Sequence, residues 1–214
     1  AEDRQVTYVV KAPQNNGVWI DFMKSINNAE NFYLKPNIFF TSDTHFGHES
    51  KIKKHLVPFK TVEEMNEELI KRWNNKVGTN DIVYHLGDFG DYNIIKRLNG
   101  KVRLICGNYE EYDYGKDFEG FRKKLMNLGF ADVIKKGIYL DEKILGERVY
   151  LTHRPTDHAK DCFTLFGHVH SLGLVKKFGF NVCVTYHYFS PIGVDAAKRY
   201  LTFVQHVADE DVFI

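Results

Sequence analysis

Cysteine is scarce in this sequence of 214 residues: there are three, and no two of them are spaced as C-x-x-C. Cys106, Cys162 and Cys183 each stand alone. A disulfide framework and a structural zinc site both need paired or clustered cysteines, so the sequence argues against both. We expect free, mostly buried thiols in a reducing compartment.

Long apolar runs and an excess of one charge are also missing. No run approaches the roughly 18 residues of a membrane-spanning helix, and we expect no signal peptide. The 29 basic residues are balanced by 28 acidic ones, so no overall positive field attracts nucleic acid, although a local basic patch remains open. These absences predict a cytoplasmic protein with no membrane partner.

The composition predicts one α/β domain preceded by an extension. Hydrophobic content of 43% and charged content of 27% are ordinary for a globular domain. Residues 1–37 are the predicted extension, with a strand-like alternation at 6–10 and a turn at 13–17. We expect it to pack on the domain of residues 38–214 or to serve in dimerisation, which leaves a homo-oligomer open.

Apolar spacing and capping residues predict three helices. The clearest spans 61–77, where Thr61 and Glu64 form a capping box ahead of an apolar stripe at helical spacing. Shorter helices are expected over 92–98 and 118–128, the latter closed by Gly129. Short apolar runs predict strands at 38–40, 102–106, 149–152, 163–166, 180–184 and 200–204, and another that stops at Gly87.

Side chains that suit metal ions follow five of these strands. In chain order they are Asp43 and His45, then Asp88, Asn108, His153, and finally His168 and His170. Each alone has an ordinary explanation, such as a surface histidine, an aspartate in a turn or an asparagine at a helix cap. In open α/β sheets, however, ligands bind beyond the carboxyl ends of the strands. Together these nitrogen and oxygen ligands predict a metal site.

Five motifs, taken in order, resemble those of the calcineurin-like metallophosphoesterase family. They are D-x-H, G-D, G-N-x-[DE], a histidine after a strand, and G-H-x-H. The stretches S-D-T-H-F-G-H and H-L-G-D-F are similar to those of its compact bacterial and phage-type members. The resemblance covers residues 38 to about 201. It implies an α/β fold of the metallo-dependent phosphatase type, a four-layer αββα sandwich with two mixed sheets face to face and helices outside.

The resemblance also implies a dinuclear metal centre. Asp43, His45 and His170 would hold one divalent ion, Asn108, His153 and His168 would hold the other, and Asp88 would bridge them together with a hydroxide that attacks phosphorus. A bridging position needs an anion with two oxygens, which an aspartate supplies. Nitrogen and oxygen ligands suit Mn²⁺, which is our first choice, and also Fe, Zn²⁺ or Ni²⁺.

One position departs from the family pattern. The third motif commonly reads G-N-H-[DE], where the histidine protonates the leaving oxygen or contacts phosphate. Here that position is Tyr109, a candidate to donate a proton or a hydrogen bond. A phenol, with a pKa of about 10, is a weaker acid than imidazolium, so substrates with poor leaving groups would suffer most. His48 is a candidate replacement acid at the rim of the pocket, with a merely polar role as the alternative.

Other polar residues near these motifs have less definite roles. Arg154, which directly follows His153, is a candidate to bind a phosphate oxygen, with a surface position as the alternative. His85 is expected to form a hydrogen bond that supports Asp88. His158 is expected at the surface.

The sequence therefore predicts a phosphoesterase that uses two divalent metal ions. Because of Tyr109, phosphodiesters such as nucleotides or cyclic nucleotides are the preferred substrates, and nuclease or phosphomonoesterase activity is the second choice. The alternative from a different class is a metal-binding but non-catalytic interaction module that lost turnover with the usual histidine. The expected partner is a phosphoester small molecule or a nucleotide, and nucleic acid remains open.

Overall fold

The computed structural model describes residues 36–54 and 58–207 of the chain. The features expected at residues 6–10 and 13–17 lie outside the described residues, so the extension stays a prediction. In the described ranges, no helix combines the length and the apolar character needed to cross a bilayer.

Strands and helices alternate in the first half of the domain, and strands dominate the second half. The strands are β1 (Ile38–Thr41), β2 (Ile82–His85), β3 (Lys101–Ile105), β4 (Asp132–Ile134), β5 (Ile138–Leu140), β6 (Val149–Leu151), β7 (Phe163–Phe166), β8 (Val175–Lys176), β9 (Gly179–Asn181) and β10 (Ile192–Gly193). The α-helices are α1 (Ser50–Lys54), α2 (Val62–Asn74), α3 (Asn108–Tyr114), α4 (Phe118–Leu128), α5 (Glu142–Leu145) and α6 (Val194–Val207). Short 3₁₀ helices span Tyr92–Arg97, Pro155–Asp157 and Val184–Tyr186.

Two five-stranded sheets form the centre of the domain. The first has the order β10-β1-β2-β3-β4, in which β1 to β4 are parallel and β10 is antiparallel. The second has the order β5-β6-β7-β9-β8, with antiparallel strands at both edges. The last residues of β1 and β2, Thr41 and His85, are paired, so the loops that leave these strands start at the same level.

An apolar core lies on each face of the first sheet. On one face, Val83 and Val102 belong to a cluster with Trp73 of α2 and Leu125 of α4. On the other face, Phe40, Tyr84 and Ile105 share a cluster with Leu151, Leu165 and Phe180 of the second sheet and with residues of α5 and α6. Burial of each such large side chain contributes about 1.5–3 kcal/mol. The predicted fold class, a mixed α/β fold of two sheets with helices, is confirmed.

The capping of α2 agrees with the prediction in part. The hydroxyl of Thr61 accepts the N–H of Glu64 at 3.1 Å, as a capping box requires. The Glu64 carboxylate, however, accepts the N–H of Lys60 at 2.7 Å. The helix ends at Asn74, three residues earlier than predicted, although Val77 is buried in the same core.

The strand predicted over 200–204 is wrong, because these residues belong to α6. Ala197, Leu201 and Val204 are buried at intervals of four and three residues, while Phe203 is 43% exposed, so the buried stripe has the helical period. The β-branched and aromatic residues of 200–204 favour a strand only when the segment is considered without the residues before it.

Two further predictions need correction. The strand predicted over 180–184 ends at Asn181, and a 3₁₀ helix begins at Val184. His158 is half-buried: it follows the 3₁₀ helix, its Nδ1 lies 3.0 Å from the carbonyl oxygen of Pro155, and its ring stacks on Phe178 with ring centroids 4.0 Å apart. The helix predicted over 118–128 is confirmed as α4, including its cap at Gly129.

Candidate metal centre

The structure brings together all seven residues that the sequence singled out as metal ligands. They follow β1, β2, β3, β6 and β7; six of them lie in loops, and Asn108 is the first residue of α3. Backbone hydrogen bonds join these loops: Asp43 donates to the carbonyl of Gly87 at 3.0 Å, and His45 donates to the carbonyl of Asp88 at 3.0 Å. The N–H of His168 donates to the Asp43 carboxylate at 3.0 Å, which links the second sheet to the first.

Asp43, His45 and His170 form the first group of side chains able to hold a metal ion. Their ligand atoms all lie within 4.8 Å of one another, and all three residues are buried. The Nε2 atoms of His45 and His170 are 3.4 Å apart, and Nε2 of His170 is 3.8 Å from a carboxylate oxygen of Asp43. Burial raises the pKa of Asp43, and the nearby Asp88 carboxylate adds to this effect, so a cation between these groups would offset the cost of their charges.

Asp88, His153 and His168 form the second group. Asn108 belongs with them, because its Oδ1 is 3.0 Å both from Nε2 of His153 and from Nδ1 of His168. Asp88 and His153 are buried, whereas His168 is exposed. The second group is therefore open to solvent on the side of His168.

Asp88 lies between the two groups. Its Oδ2 is 3.6 Å from Nε2 of His45, which belongs to the first group. Its Oδ1 is 3.5 Å from Nε2 of His153, which belongs to the second. Each carboxylate oxygen thus faces a different group, which is the arrangement that a bridging ligand needs.

The hydrogen bonding of His153 shows that this donor set fits a cation. Its Nδ1–H donates to the carbonyl of Leu86 at 2.7 Å, so in the neutral ring the lone pair is on Nε2. That nitrogen faces the side-chain oxygens of Asn108 and Asp88, which are acceptors as well. Acceptors that face one another repel unless a cation lies between them, and nitrogen and oxygen donors suit first-row divalent metals.

Backbone strain is concentrated in the same residues. Five of the seven candidate ligands have a positive φ: Asp43 (56°), His45 (46°), Asp88 (59°), His168 (71°) and His170 (46°). Each such non-glycine residue costs about 1–3 kcal/mol and persists only where surrounding contacts hold it. Strain of this kind clusters at functional sites, which supports a functional role for these loops.

Glu110 supports the centre and was not singled out from the sequence. Its buried carboxylate accepts three backbone N–H groups, from Asp88 at 2.8 Å, Phe89 at 2.9 Å and Gly107 at 2.8 Å. It therefore ties the loop after β2 to the loop after β3. Burial is the main reason that its pKa is raised. The signal for this role was the acidic position of the G-N-x-[DE] motif.

The glycines of two motifs are required by close packing. A Cβ on Gly87, whose φ is +88°, would lie 2.5 Å from the backbone nitrogen of Gly107. A Cβ on Gly107 would lie 2.5 Å from Oδ1 of Asp88. The loops after β2 and β3 can approach each other in this way only because both residues lack a side chain.

Tyr109 and His48, the two candidate proton donors, lie together beside the first group. The Tyr109 ring centroid is 5.0 Å from that of His45 and 4.9 Å from that of His48. The backbone N–H of Tyr109 donates to Oδ1 of Asp88 at 3.1 Å. Partial burial, and then the positive charge of Lys51, lower the pKa of His48.

Arg154 is held in place by Glu111. Its guanidinium donates two parallel hydrogen bonds to that carboxylate, at 3.1 and 2.6 Å. The pair is half-buried, and each partner stabilises the charged form of the other, which raises the pKa of Arg154 and lowers that of Glu111. Arg154 thus lies next to His153 in a fixed orientation.

His85 supports a different loop from the one expected. The Thr44 hydroxyl donates to the carbonyl of Phe89 at 2.9 Å, so it accepts from Nε2–H of His85 at 3.0 Å. Burial lowers the pKa of His85 to about 3, so this histidine is neutral. The hydrogen bond braces the backbone between Asp43 and His45, not the carboxylate of Asp88.

A two-sheet α/β fold with side chains able to hold metal ions at its strand ends is consistent with the class of metal-dependent phosphoesterases. The chain belongs to the calcineurin-like phosphoesterase superfamily, since residues 37–184 match the model of that superfamily's domain.

Two curated relatives resemble part of the chain. The uncharacterized protein MJ1445 of Methanocaldococcus jannaschii is 43% identical over 83 residues, which is 35% of this chain and 47% of that protein. The gene 66 protein of Mycobacterium phage L5 is 33% identical over 84 residues, which is 35% of this chain and 40% of that protein. The chain therefore matches less than half the length of either relative.

One solved structure has a similar fold. The protein of unknown function AQ665 from Aquifex aeolicus superposes with a TM-score of 0.59 at 21% identity, over 77% of this chain and 99% of that one. At this identity the likeness shows the fold alone.

Proposed function

We propose that this protein hydrolyses phosphodiesters, such as nucleotides or cyclic nucleotides, with the aid of two divalent metal ions. Membership of the superfamily supports a metal-dependent hydrolase of phosphoesters. The position of Asp88, with one oxygen towards each group of candidate ligands, is the observation that carries the dinuclear proposal.

The proposed ligand sets follow from the two groups. Asp43, His45 and His170 would hold the first ion, Asn108, His153 and His168 would hold the second, and Asp88 would contact both. When bound, two such ions lower the pKa of water to provide a nucleophile and neutralise charge on the phosphoryl group. Mn²⁺ is the proposed metal, with Fe, Zn²⁺ or Ni²⁺ as alternatives that the same donors accept.

The chain's own residues have three tasks in this reaction. The buried loops hold the ligand atoms in position before substrate arrives, so little reorganisation is needed. The exposed side of His168 admits the phosphate group. Tyr109 and His48 lie beside His45, where a proton donor to the leaving oxygen would be placed. A phenol is a weak acid, which favours diesters or other activated phosphates.

Turnover of bis-p-nitrophenyl phosphate and p-nitrophenyl phosphate with Mn²⁺ tests this proposal. We expect hydrolysis of the diester to exceed that of the monoester. Asp88→Asn should lower the rate of diester hydrolysis at least about 100-fold, because it removes the proposed ligand that both metal ions share. Asp195→Asn, an exposed aspartate in the first turn of α6, is the matched control. Bound metal without turnover of either ester would favour a non-catalytic interaction module, and faster monoester hydrolysis would favour a phosphomonoesterase.

The proposed location is the cytoplasm. All three cysteines are free, and two of them, Cys106 and Cys183, are buried, which supports a reducing compartment.

A further inference from the structure

A second cavity opens beside the metal centre and shares a wall with it. We call it the side pocket; its charged lining residues are Glu111, Lys135, Lys136, Arg154 and Asp157, and His153 lines it as well. His153, a proposed metal ligand, is common to both. The cavity has a volume of about 230 Å³, several times the roughly 30 Å³ that one water molecule occupies in the liquid. It is below the roughly 300 Å³ of the smallest typical ligand pockets, so it accommodates one chemical group and not a whole nucleotide.

The lining of the side pocket is cationic. It contains three basic side chains and two carboxylates, which gives a net charge of +1 with His153 neutral. Glu111 is already bound by Arg154, so these two charges offset each other. The remaining charges are the two lysines against Asp157. A group that enters this space is therefore favoured if it is anionic.

Neighbouring side chains fix where this positive charge lies. The ammonium of Lys135 is 5.5 Å from the ring centroids of both Tyr114 and Phe118, which hold it by cation–π interactions. Glu111 orients Arg154 by a bidentate pair, a geometry that also suits phosphate recognition. The pocket thus presents positioned cations next to the second group of metal ligands.

We propose that the side pocket binds a second anionic group of the substrate, adjacent to the phosphoester that is cut. The substrates would then be nucleotides that carry an additional phosphate. This inference rests on the proposed function, because it assigns the pocket to the substrate of the same centre. A substrate without this second anionic group would gain nothing from the two lysines in this position.

Two probes that differ only in this group test the inference. Thymidine 5′-(p-nitrophenyl phosphate) with and without a 3′-phosphate both release p-nitrophenol, so their kinetics are directly comparable. We expect the 3′-phosphate to lower KM roughly tenfold, the effect of one charge-assisted hydrogen bond. Lys135→Gln combined with Lys136→Gln should abolish this advantage, so that the two thymidine esters have equal KM. Lys123→Gln combined with Lys124→Gln, on the exposed face of α4, controls for the loss of two positive charges.

A binding measurement separates failure of this inference from failure of the proposed function. Titration calorimetry should show thymidine 3′,5′-bisphosphate binding more tightly than thymidine 5′-monophosphate, and the double lysine variant should bind both equally. This difference without turnover of any ester would support the pocket and overturn the proposed hydrolysis. Turnover of both thymidine esters with equal KM, or an advantage of the 3′-phosphate that survives the double variant, would overturn the pocket alone.

Discussion

The carboxylate of Glu110 accepts the backbone N–H of Asp88 at 2.8 Å, and it accepts two further N–H groups from Phe89 and Gly107. Glutamine at this position would keep one oxygen and place an NH₂ group against N–H donors. We expect Glu110→Gln to lower the free energy of unfolding by about 1–3 kcal/mol, the cost of unsatisfied buried donors. Urea denaturation measures this change.

The same variant should also bind metal less well, because the loop that carries Asp88 loses its anchor. Glu119→Gln, an exposed residue in the first turn of α4, should change stability by less than about 0.5 kcal/mol. If Glu110→Gln unfolds at the same urea concentration as the wild-type protein, the role assigned to this carboxylate is wrong.

The strand ends that carry the candidate ligands could be predicted from the sequence. Short apolar runs that stop at a glycine and a polar residue are local signals, and parallel strands bring their carboxyl ends together. Thr41 and His85, the last residues of β1 and β2, are paired, so the loops that follow these two strands begin at the same edge of the sheet. This register is fixed because both strands are buried. Candidate ligands that are far apart in the sequence therefore lie close together in the structure, as expected.

Other features depend on contacts that no local pattern contains. The pairing of Arg154 with Glu111 joins the segment after β6 of the second sheet to α3, which follows β3 of the first sheet. The three N–H groups bound by Glu110 come from two loops. The segment 200–204 of α6 resembles a strand because the helical spacing of its buried residues starts at Ala197, outside that segment. Positive φ at residues such as Asp43 is uncommon for any residue other than glycine, although Asp and His adopt it more readily than most, so it depends on the contacts of the packed loops.

Metal stoichiometry tests the bridging role of Asp88. We expect the wild-type protein to bind two Mn²⁺ ions per chain and Asp88→Asn to bind at most one tightly, because the amide removes a negative charge and one oxygen facing the two groups. Elemental analysis after dialysis gives the count. Asp195→Asn should retain both ions, and an Asp88→Asn protein that also retains both would contradict the bridging role.

Metal binding should also stabilise the fold, because it relieves the repulsion between the buried carboxylates of Asp43 and Asp88. At a free metal concentration about 100 times Kd, one site adds about 2.7 kcal/mol. We expect EDTA to lower Tm and Mn²⁺ to restore it. A Tm unaffected by either reagent would mean that these side chains hold no ion in solution.

The position of Tyr109 predicts a dependence on the leaving group. Tyr109→His introduces a stronger acid beside His45 and His48, so hydrolysis of esters with poor leaving groups should rise while activated aryl esters change little. Rates for a series of aryl and alkyl diesters measure the slope against leaving-group pKa. Tyr109→Phe, which has no proton to donate, should keep the rate strongly dependent on leaving-group pKa. An unchanged slope in Tyr109→His would refute a proton-donor role at this position.

Gly87 and Gly146 allow steric and conformational costs to be separated. Their φ values are +88° and +89°, but a Cβ on Gly87 would meet the backbone of Gly107 at 2.5 Å, whereas a Cβ on Gly146 would have no atom of the described chain within 4 Å. Gly146→Ala should therefore lower the free energy of unfolding by about 1–2 kcal/mol, the cost of the left-handed conformation alone. Gly87→Ala should cost a further 1–3 kcal/mol or so from overpacking, and it should also reduce metal binding, because it pushes the loops of Asp88 and Asn108 apart. Thermal unfolding and metal analysis of both variants provide the comparison, and equal losses of stability would show that the close approach of the two loops is not what requires a glycine at position 87.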